Sequence, residues 1–287
     1  MSTRPRVVVD CNCHTGENPM WHPMEKRLYW LDIPAGRIWR YDPATGETDH
    51  FDQGCAIGGF TMQPDGALLL FMARGAVKVW REDTLETVIE ELPDEVNNRF
   101  NDVIADPEGR VYCGTMTTPE RPARLYRLDT DGSITQLLDG IGTSNGMGFT
   151  RDGRQFYYTD TRAYQIYIFD YDRATGDITN QRTFVKVEDG RGRPDGMTVD
   201  VEGCIWGARW DGFGIARYAP DGSEIAWYDM PARNVSSLTF GGEDYTDIYI
   251  TTAAADKPEE NGRDAGSLFH MNCGVRGVPE FVSRCRL

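Results

Sequence analysis

Short runs of hydrophobic residues separated by polar turns recur along the whole chain. Six segments share one order of residue types: a small or polar pair, an apolar-rich run, a turn, and a β-branched or aromatic run. The turns PDG, PEG, RDG and VEG place glycine where a tight hairpin needs a positive φ. This pattern predicts strands joined by hairpins and not helices. The six segments begin at Glu17, Gly58, Asn101, Asn145, Asp195 and Ser236.

The spacing of these segments predicts the fold. Further pieces lie between them, from GRIWRYDPATGETDHF in the first unit to GSLFHMNCGVRGVPEFV in the last, and each reads as strand, turn, strand. Four strands that repeat at intervals of about 40–50 residues are typical of a propeller blade. We therefore predict an all-β fold, a six-bladed β-propeller with four antiparallel strands per blade, as one domain over residues 1–287. The early RVVVD is available to add a strand to the last blade and close the ring.

The register of the repeat predicts which residues meet at the centre. The first strand of each propeller blade lines the central channel, and the six segments align without gaps from their opening pair to their turn. Their first residues should therefore lie at equivalent places near one mouth. Two carboxylates and two carboxamides at these places favour a hard divalent cation, although polar residues at strand starts also cap loops. The four are Glu17, Asn101, Asn145 and Asp195.

Composition narrows the classes of function. The net charge is −15, from 45 acidic and 30 basic residues, so the surface repels phosphate backbones and nucleic acid is not an expected partner. No apolar run is about 18 residues long, which argues against a membrane-spanning helix. MSTRPRVVVDCNC lacks the apolar core of a signal peptide, so we expect a cytoplasmic protein with reduced thiols. Seven cysteines without a CxxC pair, and four histidines without paired spacing, do not indicate a zinc site.

Two residues outside the opening positions are predicted to reach the same mouth. Arg99, in NRFND, can donate paired hydrogen bonds to a substrate's hydroxyl or carbonyl groups, or it forms a surface salt bridge. Glu120 lies in the loop TMTTPERPAR, which follows a second strand. Gly58 either leaves room for a ligand or serves backbone geometry. The sequence shows no Ser-His-Asp arrangement, so an acyl-enzyme is not favoured.

Several motifs also resemble those of a known family. GENPMW, NRFND, GTM, SNGMGF, FDYDRATGDITN, PDGMTVD and FGGEDY occur in this order from about Cys13 to beyond Tyr249. They are similar to motifs of the senescence-marker-protein/gluconolactonase family, which includes regucalcin. The resemblance implies a six-bladed propeller that hydrolyses sugar lactones with one divalent metal in its channel. It implies metal ligands at Glu17, Asn145 and Asp195, and substrate-binding residues at Arg99, Asn101 and Glu120.

The leading hypothesis is therefore metal-dependent hydrolysis of a sugar lactone, such as glucono-, xylono- or arabinonolactone, to the aldonic acid. The metal would polarise the lactone, and Asp195 would act as general base. Zinc, calcium, manganese, magnesium and iron are the candidates for this metal. One alternative is a promiscuous esterase or phosphotriesterase. Another is a calcium-binding or scaffold propeller without catalysis, which the oxygen ligands alone would allow.

Overall fold

Short strands joined by tight turns make up almost all of the regular structure. The computed structural model describes residues 3–81, 84–256 and 259–285. These ranges contain 24 strands and one short 3-10 helix, Pro93–Glu95. None of their helices is long and apolar enough to cross a membrane.

The strands are β1 Arg6–Val9, β2 Gly16–His22, β3 Arg27–Asp32, β4 Arg37–Tyr41, β5 Thr48–Asp52, β6 Ile57–Met62, β7 Leu68–Met72, β8 Val77–Arg81, β9 Thr84–Ile89, β10 Phe100–Ala105, β11 Val111–Thr115, β12 Ala123–Leu128, β13 Ile134–Ile141, β14 Ser144–Phe149, β15 Gln155–Asp160, β16 Gln165–Tyr171, β17 Ile178–Lys186, β18 Arg193–Val199, β19 Ile205–Trp210, β20 Gly214–Tyr218, β21 Glu224–Asp229, β22 Val235–Gly241, β23 Asp247–Thr252 and β24 Leu268–Met271.

These strands form six four-stranded antiparallel sheets, which are the blades of a propeller. Blades 1 to 5 are β2–β5, β6–β9, β10–β13, β14–β17 and β18–β21, and blade 6 contains β22, β23, β24 and β1. The inner strands β2, β6, β10, β14, β18 and β22 contact one another in a closed ring. Six apolar clusters, one at each boundary between blades, hold the ring together. The predicted six-bladed architecture is confirmed.

The sixth blade closes the ring with the N-terminal strand. β1 pairs antiparallel with β24, and Val7 lies opposite Phe269, so RVVVD supplies the strand that the sequence left possible. The prediction of two strands in GSLFHMNCGVRGVPEFV was half wrong, because only its first part, β24, is a strand. Since β1 already occupies the outer edge of this blade, the chain after β24 leaves it. The backbone amides of Val278 and Ser283 then donate to the carbonyls of Val199 (3.2 Å) and Met62 (2.8 Å), so this C-terminal segment reaches blades 5 and 2.

Each inner strand carries a register irregularity close to its opening residue. In blade 3, for example, the register shifts between Phe100 and Val103, and the other five blades show a shift at the corresponding level. A bulge re-aims side chains that would otherwise alternate between the two faces of the sheet. The mouth of the channel is therefore built from bulged strand ends.

Glycines at this level are required by the close approach of neighbouring blades. A Cβ on Gly58 would lie 1.9 Å from the carbonyl oxygen of Phe100, and one on Gly196 would lie 2.2 Å from Oγ of Ser237. Neither neighbour leaves room for a methyl group. Of the two explanations for Gly58, the close approach of the neighbouring backbone is therefore the one that the structure supports, and not room for a ligand.

Candidate functional site

The polar residues that open the inner strands lie at equivalent places around the ring. Glu17, Asn101 and Asn145 are each the second residue of their strand, and Asp195 is the third. All four side chains are buried, with exposed fractions of 4–8%. Two of them are carboxylates with no basic partner within salt-bridge distance among the described residues, so their charges need compensation from elsewhere.

The carboxyl groups at this mouth raise one another's pKa. Burial raises the pKa of Glu17 well above its usual range, and the charges of Asp195 and Asp102 add to the shift. Burial also raises the pKa of Asp195, again with a contribution from Asp102, while Arg193 acts in the opposite direction. The pKa of Asp102 itself is raised by burial to about 6. A cation would relieve this repulsion and hold the carboxylates ionised.

Among the residues that the structure describes, two buried oxygens at this place lack a hydrogen-bond partner. They are Oδ1 of Asn145 and Oδ1 of Asp195. The amide nitrogen of Asn145 donates to Oγ1 of Thr161 at 3.1 Å, which fixes the amide and leaves its oxygen free. Buried polar atoms are normally satisfied, so an unpartnered pair points to a missing partner. Together with the carboxylate of Glu17, these oxygens fit a hard divalent cation.

Asn101 differs from Asn145 because both ends of its amide are already bonded. Its Oδ1 accepts from Nη1 of Arg99 at 2.8 Å, and its Nδ2 donates to the carbonyl of Ser144 at 2.9 Å. Asn101 is therefore a poor fourth ligand for a cation. Its contact with Arg99 joins the two residues predicted to bind substrate into one unit.

Arg99 lies beside Asn101, and within the described part of the chain its side chain forms no surface salt bridge. Its Nη1 also donates to the carbonyl of Phe100 at 2.9 Å. Burial lowers the pKa of Arg99 to about 10, while the charge of Glu17 acts in the opposite direction. The guanidinium stays protonated at neutral pH, and its other N–H groups remain available to a ligand.

Glu95, which sequence reasoning missed, anchors the rim beside Arg99. Its side chain is fully buried, and its carboxylate accepts from Nδ2 of Asn98 at 2.8 Å and from the hydroxyl of Tyr126 at 2.7 Å. It also forms an ion pair with Arg121. Asn98 is in the segment before β10 that carries Arg99, and Arg121 is in the loop after β11. Glu95 therefore ties two rim segments together.

The predicted substrate residue Glu120 lies in that second segment, directly before Arg121. Its side chain is exposed at the surface of the loop. The loop is held at its base by Asn98, whose Nδ2 donates to the carbonyl of Met116 at 2.8 Å. The structure places Glu120 on the rim, and its contact with a substrate stays a prediction.

Sequence reasoning also missed two carboxylates deeper in the channel. Asp102 and Glu280 line the same cavity, together with Asn18, Thr61 and Ser237. Burial raises the pKa of Glu280 to about 7, with a further contribution from the charge of Asp102. Glu280 belongs to the C-terminal segment that leaves blade 6. The negative potential of the mouth therefore continues along the channel.

Another acidic cluster has a structural role. Asp200, Glu202 and Cys204, at the turn between β18 and β19, place one possible ligand atom each within 4.8 Å of one another. The guanidinium of Arg217 bonds to Asp200 at 2.6 Å and to Glu202 at 2.5 Å, and Trp206 donates to Asp200 at 2.9 Å. Because these groups neutralise and bond the carboxylates, the cluster is satisfied without a cation.

Comparisons with known proteins match nearly the whole chain. The family model described as the SMP-30/gluconolactonase/LRE-like region matches residues 15–254, a range that includes all six predicted site residues. The pentonolactonase XacC of Haloferax volcanii is 47% identical over 289 residues, and the match covers 98% of each chain. The regucalcin of Gallus gallus is 33% identical, with 93% of each chain covered. The crystal structure of a calcium-binding protein, regucalcin, from Agrobacterium tumefaciens has a TM-score of 0.88 and 25% identity, and the match covers 98% of this chain and 97% of that one.

Proposed function

Since this chain belongs to the SMP-30/gluconolactonase/LRE-like family, we propose that it hydrolyses a sugar lactone to the corresponding aldonic acid. The unpartnered buried oxygens of Asn145 and Asp195, beside the carboxylate of Glu17, carry this proposal within the structure. The relative named pentonolactonase makes a five-carbon lactone the first substrate to test, followed by six-carbon lactones.

Glu17, Asn145 and Asp195 would hold one divalent cation at the head of the channel. A cation bound there supplies Lewis-acid polarisation of the lactone carbonyl and lowers the pKa of water. The donor set contains oxygen and no sulfur or imidazole, which suits calcium, magnesium and manganese. Zinc and iron belong in the same test, since carboxylates also bind them.

Asp195 is proposed as the general base. Its carboxylate, whose Oδ1 has no hydrogen-bond partner among the described residues, would accept a proton from the attacking water and later pass it to the ring oxygen as the ester bond breaks. Burial and the neighbouring Asp102 raise its pKa, and a cation beside it would keep the carboxylate ionised and able to accept the proton. Turnover should therefore need the deprotonated carboxylate and fall as the pH is lowered.

Arg99 and Asn101 are proposed to orient the sugar. The 2.8 Å hydrogen bond between them fixes the guanidinium at the mouth, where its remaining N–H groups can donate to hydroxyl or carbonyl oxygens. Such positioning holds the lactone carbonyl in reach of the water that Asp195 activates. Glu120 on the rim is proposed as a further contact for substrate hydroxyls.

The test replaces Asp195 with asparagine, which keeps the shape and an oxygen but removes the proton acceptor. We expect kcat on a pentonolactone to fall by about 100-fold or more, after subtraction of spontaneous hydrolysis. The matched control is Asp52→Asn on the outer strand β5, where the exposed carboxylate pairs with Arg37 at 2.6 Å. Full activity in purified, folded Asp195→Asn protein would overturn the assignment of the base.

Calcium binding without catalysis is the second candidate, and the regucalcin relatives and the oxygen donor set favour it. It predicts calcium binding by calorimetry together with no turnover on any pentono- or hexonolactone. Assays of phosphotriester and simple ester substrates side by side with the lactones distinguish a lactonase from a promiscuous esterase or phosphotriesterase. Faster hydrolysis of lactones than of either class supports the leading proposal.

A further inference from the structure

Two cysteines between β1 and β2 lie against each other. The Sγ atoms of Cys11 and Cys13 are 3.4 Å apart, and both are free thiols. Asn12 between them has a φ of 47°, in the left-handed region that asparagine adopts more readily than most residues. The local backbone conformation therefore brings the two thiols into contact, on the segment that leads into β2.

A buried donor faces this pair. Trp30 is fully buried, and among the described residues its indole Nε1 makes no hydrogen bond of normal geometry. Its N–H lies beside both sulfurs, where it favours the negative form of each. Since a buried N–H normally has an acceptor, an unpartnered one next to two thiols is suited to a sulfur that becomes charged.

The two sulfurs differ in reactivity. Cys11 is partly exposed, and its pKa is lowered, first by the hydrogen bond from the Cys13 thiol and further by the indole of Trp30. Cys13 is 1% exposed, and its pKa is raised, chiefly by its interaction with Cys11. The lower pKa and the greater exposure both select Cys11 as the sulfur that meets an oxidant from solvent. Cys13 is then the nearest group able to react with it.

We propose that Cys11 and Cys13 form an oxidisable dithiol, a modification site that a small hydroperoxide converts into an intrachain disulfide. With hydrogen peroxide, the Cys11 thiolate attacks one oxygen, so an S–O bond forms and the O–O bond breaks, and the leaving hydroxide takes up the proton that Cys11 released and departs as water. The sulfur of Cys13 then attacks Cys11: the S–S bond forms, the S–O bond breaks, and the Cys13 proton leaves with the hydroxide as a second water. Two thiols are oxidised to one disulfide and one hydroperoxide is reduced. The sulfurs must close from 3.4 Å to about 2.05 Å.

The experiment treats the reduced full-length protein with hydrogen peroxide and counts thiols after denaturation. We expect two of the seven thiols to be lost. Peptide mapping should find the peptide that holds Cys11 and Cys13 lighter by two hydrogen atoms, and dithiothreitol should restore it. Loss of thiols at other positions, or a disulfide that joins either cysteine to a different partner, would overturn the proposal.

Single variants separate the two roles. Cys13→Ser should stop at a sulfenic acid on Cys11 that dimedone traps, whereas Cys11→Ser should leave Cys13 unmodified under the same treatment. The control Cys55→Ser removes an exposed thiol and should still lose two thiols. Equal dimedone labelling of Cys11 and Cys13 in the two variants would contradict the proposed order of reaction. So would a Cys55→Ser protein that keeps all of its thiols after the peroxide treatment.

Discussion

The buried carboxylate of Glu95 gives a sharp prediction about the rim of the site. Glu95→Gln keeps the shape of the side chain but removes the charge that faces Arg121. Removing one partner of a buried ion pair costs about 3–5 kcal/mol of unfolding free energy, because the other charge is left uncompensated. Since 21% of the Arg121 side chain is exposed to solvent, we expect about 2–3 kcal/mol. For a chain of 287 residues, that corresponds to a fall in Tm of about 3–5 °C.

Asp94→Asn, next to Glu95, is the matched control for this experiment. Asp94 pairs with Arg124 at 2.9 Å, but 70% of its side chain is exposed, so we expect a loss below about 0.5 kcal/mol. Thermal unfolding of both variants measures the difference. Because Glu95 also holds the segment of Arg99, KM for the lactone should rise more than kcat falls in Glu95→Gln. Equal Tm shifts in the two variants would refute the reasoning.

Two further predictions concern the channel. Gly58→Ala should lower the unfolding free energy by about 3 kcal/mol, because the new Cβ meets the Phe100 carbonyl at 1.9 Å. The control Gly46→Ala, with nothing within 4 Å of the new Cβ, should cost about 1 kcal/mol because of its positive φ. Equal losses of unfolding free energy in urea titrations would contradict this. In the metal-free protein, the pKa of Glu280 is raised to about 7, against 4.5 for an ordinary glutamate. The folded state therefore holds this proton more tightly than the unfolded state, so the stability of the wild type falls as the pH rises from 4.5 to about 7. Glu280→Gln should therefore be more stable than wild type by about 1–2 kcal/mol at pH 8 and similar to it near pH 4, and a difference that does not change with pH would count against this account.

The fold was predictable because its signals are local. Each hairpin has its own turn glycine and its own alternation of apolar residues, and the repeat supplies six copies of the same information. The same register predicted that Glu17, Asn145 and Asp195 would occupy equivalent strand ends, as the structure shows. The outer strand of blade 6 was harder to assign, because pairing between β1 and β24 joins distant parts of the chain.

The missed residues depend on features that a pattern does not encode. In a regular strand Asn101 and Asp102 would face opposite sides, but the register shift between Phe100 and Val103 breaks that alternation. Two consecutive polar residues at a strand start were the available signal for Asp102. Glu280 reaches the channel only because the C-terminal segment leaves its blade, and no local pattern marks that path.

We propose that the oxygens of Glu17, Asn145 and Asp195 make lactone hydrolysis depend on one divalent cation. The most direct measurement is the rate of pentonolactone hydrolysis by chelator-stripped protein, before and after stepwise addition of calcium, magnesium, manganese, zinc or iron(II). We expect no turnover above the spontaneous rate in stripped protein, and recovery that saturates at one equivalent of the active metal per chain. Stripped protein that hydrolyses the lactone at the full rate would contradict it.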